Sequence, residues 1–293
     1  MDPNERQNTK STPLHGAAFY NQESTVELLL QYCVNITLKN IDRKTALEES
    51  HSEKIKKLLE KNQNDPISNL LNDLMDKKIA KKLILVKYKN LIIGKKIIRN
   101  EEIISSNIKD IIKNWEIGWH GTRFEFLESI MKYGLYPSGT KLENGLEIKP
   151  LKGHVQLNIS VANIENWAKA IFVSPSIFYA GHPAYAKTIK SNEDEYSILI
   201  ETRIKPNTYT QHKPTVVKYV QKNAEPTFIE YRIEVKDDSN LIVRTESEKN
   251  VVVIGILFAK TDFLKNIKKY YESEIYANSK EEKTFFLLIK FYH

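Results

Sequence analysis

Apolar and polar positions along this chain follow two different patterns, and the change falls near Trp115. Ahead of it the apolar residues recur at helical spacing. Val26, Leu28, Leu29 and Leu30 predict one helix, and "EKIKKLLEK" predicts a later one. After the polar break "EKNQNDPISN", residues 67–114 read as two or three helical or mixed segments rich in Leu, Ile and Lys, and 63–114 is expected as a helical connector. Beyond Trp115, "FEFLESIMKYGL" is an amphipathic helix stopped by Gly134, whose missing Cβ suits a left-handed cap. "YPSGTKLENGLEIKPLKGH" reads as loops and a hairpin. "AIFVSPS" reads as a buried strand, and "HPAYAKTIK" as a short helix with Pro183 near its start. "YSILIETRIK", "TFIEYRIEV", "LIVRTES" and "NVVVIGILFAK" come next as four strands, by alternation or by continuous β-branched runs. Strands and helices segregated in this order predict an α+β fold.

The early helices repeat. Thr12 and Thr45 stand 33 residues apart, with Leu14 and Leu47 in the same register. The first copy carries Thr12-Pro13-Leu14-His15-Gly16-Ala17, in which Pro starts a helix and Thr and His hold the turn through local hydrogen bonds. This resembles the ankyrin repeat family, in full in the first copy and weakly in the second, which is shorter between its helices. The resemblance spans residues 8–62. Such solenoids bury a continuous core only with about three repeats. The arm is therefore expected to pack against the rest of the protein or to belong to a longer array, and to dock a protein partner.

Composition narrows the setting. The 293 residues are 41% apolar, enough for a sizeable core, and no apolar run approaches the roughly 20 residues of a membrane span. The polar start "MDPNERQNTK" does not resemble a secretory segment, and the single cysteine, Cys33, cannot form an internal disulfide. An intracellular protein, cytoplasmic or nuclear and without a membrane, is the expectation. The 44 Lys+Arg against 37 Asp+Glu leave a charge of +7 that is dispersed as a solvated surface. It still favours anionic ligands, a dinucleotide included, and nucleic acid is a possible partner.

Candidate chemistry lies in His120-Gly121-Thr122, after the apolar run "WEIGW", and in Glu230-Tyr231 about 110 residues later. Strand then His-Gly-Thr, helix with "GL", strand with short aromatic segment, and strand with Glu-Tyr resemble the catalytic domain of diphtheria-toxin-like ADP-ribosyltransferases, the group that includes the poly(ADP-ribose) polymerases. The resemblance covers residues 115–262 and leaves 263–293 as a C-terminal helix or tail. It implies a split antiparallel sheet and NAD as a substrate, with no metal. It further implies transfer of ADP-ribose to a macromolecule, a protein acceptor above all, with release of nicotinamide. Mono transfer is favoured, because nothing identifies a pocket for a second ADP-ribose.

By the same resemblance, His120 donates to a ribose hydroxyl, Gly121 and Thr122 border the nicotinamide carboxamide, and Glu230 stabilises the oxocarbenium-like ribose. The middle element leaves alternatives. Tyr185 is the first choice for stacking on the ring and Tyr179 the second. The serine that would hold the carboxamide is Ser174 or Ser176, since Gly181 or His182 stands at the expected place. Two other readings compete. "KGHVQL" resembles the "HVHL" strand of RNA 2'-phosphotransferases, in which Arg123 would meet a phosphate. A non-catalytic module that reads NAD or ADP-ribose is the other. The segment "RIKPNTYTQHKPTVVKYVQKNAEPT", with Lys205, Lys213, Lys218 and Lys222, is where partner contacts are expected.

Overall fold

In the computed structural model the described residues are 4–32, 34–63, 65–88, 91–100, 107–141, 145, 147–149, 155, 157–215, 228–234 and 250–265. Cys33, the strand expected in "LIVRTES", His154, Lys218, Lys222 and the tail from residue 266 lie outside them.

Pro13 opens α1 (Pro13–Phe19) behind the extended cap residue Thr12. His15 Nδ1 accepts the Thr12 backbone N–H at 3.2 Å and lies 2.8 Å from Thr12 Oγ1. Its Nε2–H donates to the Lys44 carbonyl at 3.1 Å, so the ring ties the first turn to the start of the second copy. That is a structural role. α2 (Glu23–Gln31) completes the first helical pair. In the second copy Thr45 and Glu48 form a capping box around α3 (Ala46–Glu49), only four residues long, and α4 (Glu53–Gln63) comes after it. Leu14, Val26, Ala46, Ile55 and Leu59 close a small core of their own.

The stretch expected as a helical connector is corrected by the structure. It holds α5 (Pro66–Asp76) and α6 (Ile108–Asn114), but between them run two antiparallel strands, β1 (Ala80–Tyr88) and β2 (Leu91–Arg99). β2 then pairs with the late strand β9 (Val251–Lys260), so the connector is part of the main sheet.

That sheet continues with β3 (Glu116–Gly121), β5 (Thr188–Ser191) and β6 (Asp194–Ile204), in the order β1-β2-β9-β6-β3, with β5 also on β6. A smaller sheet has the order β4 (Ile171–Val173), β8 (Glu230–Ile233), β7 (Thr210–His212). All pairings are antiparallel, and with the helices they make the fold α+β. α7 (Leu127–Tyr133), preceded by a 3-10 turn, ends at Gly134 as expected, although with φ +90 and ψ −169 the glycine is extended rather than in the left-handed helical cap. α5 and α7 cover one face of the main sheet, where Ile67, Leu71, Leu127 and Met131 meet Ile200 and Phe258. Ile177, from the short helix α8 (Ile177–Ala180), packs with Trp119 and Leu199 on the other face.

The helix expected in "HPAYAKTIK" is not formed. The helical residues fall earlier, in α8, because Ser176 caps it by accepting the Tyr179 N–H. After it, the Tyr185 and Ala186 N–H groups both bond the His182 carbonyl in a turn, and Lys187 N–H goes to the Thr122 carbonyl. That last bond draws the chain into β5. α9 (Thr261–Lys265) succeeds β9 directly. No helix among the described residues is long and apolar enough to cross a membrane.

Candidate active site

The two sheets share core side chains, and among the described residues one backbone bridge joins them. Trp119 of β3 and Ser174, just after β4, exchange both backbone hydrogen bonds, at 2.7 and 2.9 Å. Antiparallel alternation fixes which way the neighbouring peptide groups face. Thr122 N–H bonds Ile198 O at 3.1 Å, so His120 faces β6 with its backbone, while Gly121 and Trp119 point theirs toward β4. The next rung would join Gly121 to Phe172. Instead His120 Nδ1–H donates to the Phe172 carbonyl at 2.8 Å. The ladder stops there, and the Gly121 N–H and C=O take no hydrogen-bond partner among the described residues. A cleft opens where the strands part.

This cleft is a cavity of about 290 Å³, lined by His120, Gly121, Thr122, Tyr179, Tyr185, Thr215 and Glu230. Trp167, Phe172 and Ile171 add apolar lining, and Arg123, Ser129 and Lys149 polar lining. Arg232 braces Trp167 from behind: its guanidinium lies 5.4 Å from the indole, and its Nε–H donates to the Trp167 carbonyl.

Glu230 opens β8 and is 4% exposed. Such a buried carboxylate requires donors. Tyr179 OH donates to its Oε1, as do Tyr185 OH at 3.0 Å, Thr215 Oγ1–H at 2.6 Å and Thr215 N–H at 3.2 Å. Among the described residues, every hydrogen bond to this carboxylate goes to Oε1. The two tyrosines are also 2.9 Å apart, hydroxyl to hydroxyl. Burial first, and the Glu230 charge second, push both phenols well above their usual range, so they remain protonated donors. Beside them, burial and the Arg232 charge hold His212 below its usual value.

Of the residues singled out in the sequence, His120, Gly121, Thr122, Ser174, Tyr179, Tyr185 and Glu230 all border this one cavity. Ser176 does not; its hydroxyl is spent on the α8 cap. Ser174 reaches the wall, yet its Oγ–H donates to the Ile229 carbonyl at 2.8 Å and its oxygen accepts Ser176 N–H. Ser174 offers its proton only by giving up the bond to Ile229, and Ser176 does not line the cavity. The tyrosine rings touch at 5.4 Å and 60°, which leaves no slot for a planar ring between them. The reason for Gly121 also changes. A Cβ there would lie 2.3 Å from the Ala180 carbonyl oxygen and 2.7 Å from Ala186 N, so the glycine admits the 180–186 turn of the protein itself. Thr215 is a site residue that no pattern in the sequence marks, although it falls in the segment expected to meet partners.

Residues 9–41 match the family model for the Ankyrin repeat, and the chain carries an ankyrin repeat there. No curated protein matches the chain.

Proposed function

We propose that the cavity binds the nicotinamide riboside end of NAD, and that the protein transfers ADP-ribose to a macromolecular acceptor while nicotinamide leaves. The observation that carries this reading is one buried carboxylate, bonded on a single oxygen, in the same cavity as the Gly121 peptide edge. A primary carboxamide has a donor and an acceptor side by side, and Gly121 presents the matching C=O and N–H. At about 290 Å³ the cavity is at the small end for ligand pockets, which suits the nicotinamide end and leaves the phosphates to Arg123 and Lys149.

The glycosidic bond between the anomeric carbon and the nicotinamide nitrogen breaks with its electron pair going to nicotinamide. Positive charge builds on the ribose until the acceptor nucleophile bonds the anomeric carbon and gives up its proton. Glu230, itself 4% exposed, stabilises that charge. Tyr185 supplies the stacking face. His120, held by the bond from its Nδ1–H to the Phe172 carbonyl, contacts a ribose hydroxyl. The ankyrin arm docks a protein, as such repeats generally do.

The test is incubation with labelled NAD, comparing wild type with Glu230→Ala. Label appears on protein with wild type and falls at least about a hundredfold with the variant. Equal labelling in both, or labelling in neither, rejects the reading. NAD binding without transfer by wild type supports the non-catalytic module instead.

A further inference from the structure

Thr215 lines the site, and the proposed chemistry alone gives it no task. It stands three residues after β7, directly behind the buried Pro214, whose fixed φ limits how the chain can enter. From there it sends two donors, N–H at 3.2 Å and Oγ1–H at 2.6 Å, to the same oxygen of Glu230. Its N–H also lies 3.1 Å from Tyr179 OH, and its Oγ1 3.1 Å from Tyr185 OH. Tyr179 is 2% exposed and joins the set through its hydroxyl, so it supports the carboxylate from inside the fold.

A carboxylate rotates about its last bond through a broad torsion. Donors on both oxygens would fix its plane but also occupy the atom that must face the sugar. Donors gathered on Oε1 alone fix the plane and keep Oε2 for the reaction. We infer that Thr215, with Tyr179, is a positioning residue: the pair anchors Glu230 by Oε1 so that Oε2 faces the anomeric carbon of the bound ribose. This rests on the proposed ADP-ribosyl transfer. It also gives the segment between β7 and β8 a specific task, since a shift of Thr215 by an ångström would release the carboxylate and cost rate rather than affinity.

The experiment is steady-state nicotinamide release by the full chain, with NAD affinity measured separately by titration. Thr215→Val keeps the β-branched shape and removes the Oγ1–H donor. Its kcat falls about ten- to hundredfold, whereas NAD affinity stays within about twofold of wild type. Thr215→Ser, which keeps the donor and loses the methyl, restores most of kcat. Tyr179→Phe shows the same split and serves if Thr215→Val does not fold. An unchanged kcat in the valine variant overturns the inference alone, as does an equal loss in valine and serine variants, which would mean that the methyl's packing matters. A wild type that releases no nicotinamide removes the transfer reading and this inference with it.

Discussion

Tyr179 and Tyr185 both border the cavity, and both hydroxyls donate to the Glu230 carboxylate. The aromatic content of "SIFYAGHPAY" was legible in the sequence; that both hydroxyls converge on Glu230 was not, because the convergence depends on a strand about 45 residues later. The consequence is measurable as pH dependence. Both phenols have folded values raised above the ordinary value of about 10, mainly by burial. Below a pH of about 10 both folded and unfolded chains hold these protons, and the stability is fully present. As pH rises past that value the unfolded chain releases protons that the native site retains, and stability is lost at up to about 1.4 kcal/mol per pH unit for each tyrosine. Urea unfolding between about pH 8 and pH 11 should show this fall. Tyr185→Phe should make it shallower, and an identical slope would mean that the Tyr185 hydroxyl is already ionised in the native protein. Gly121 carries the same lesson with a different cause. The sequence marks the glycine, but only the neighbouring turn at Ala180 and Ala186 explains it.

At the scale of elements, β1 and β2 were hidden by composition. "KKIAKKLILVKYKNLIIGKKIIRN" reads as a Lys-rich solvated surface, yet Lys96 and Arg99 are 3% and 0% exposed. Their partners come from far along the chain, which is why local pattern failed. Arg99 donates from Nε to the Met131 carbonyl at 2.6 Å and from Nη2 to the Lys132 carbonyl at 3.0 Å, closing the end of α7. Across β2 and β6, Lys96 Nζ lies 2.5 Å from Glu201 Oε2, and Arg203 lies 3.6 Å from Oε1 of the same carboxylate. Arg203 is wholly buried, and its guanidinium nitrogens have no hydrogen-bond partner among the described residues. Burial lowers its proton affinity, against the pull of Glu201. Two cations therefore depend on one carboxylate. Glu201→Gln leaves both uncompensated and should cost about 3 to 5 kcal/mol, whereas Arg203→Met, which removes the poorly satisfied group, should be neutral or stabilising. Urea midpoints of the two variants decide it. Equal losses would show that Arg203 contributes as much as Glu201. By contrast β3, α7, β6 and β9 were legible, because their own apolar runs or caps specify them.

For the whole molecule, the question is how a repeat arm too small to stand alone is held. The expectation that it packs on the rest is met at one corner, where the end of α4 and the start of α5 meet the tight turn between β5 and β6. Asp65 caps α5 by accepting Ser68 N–H at 2.9 Å, and its other oxygen accepts Ser191 Oγ–H at 2.5 Å, all nearly buried. Asn192 donates to Asn62 Oδ1 at 3.1 Å, and Lys61 pairs with Glu193 at 2.6 Å. These contacts differ in worth. Lys61 and Glu193 are 49% and 86% exposed, so screening leaves that pair near zero. Asp65 has two tasks at once, the helix cap and the receptor for Ser191. β5 begins three residues after Tyr185, so the same corner fixes the arm and steadies the chain that carries a wall of the cavity. Asp65→Ala should therefore cost about 1 to 3 kcal/mol, combining a lost cap with an orphaned buried hydroxyl, and Lys61→Ala almost nothing. Urea unfolding monitored by both far-ultraviolet circular dichroism and tryptophan fluorescence provides the check. Every tryptophan, Trp115, Trp119 and Trp167, lies outside the repeats, so fluorescence reports on the sheet domain alone. With Asp65→Ala the helical signal should be lost at lower urea than the fluorescence signal. Coincident curves at the wild-type midpoint would mean that the corner does not couple the arm to the sheet.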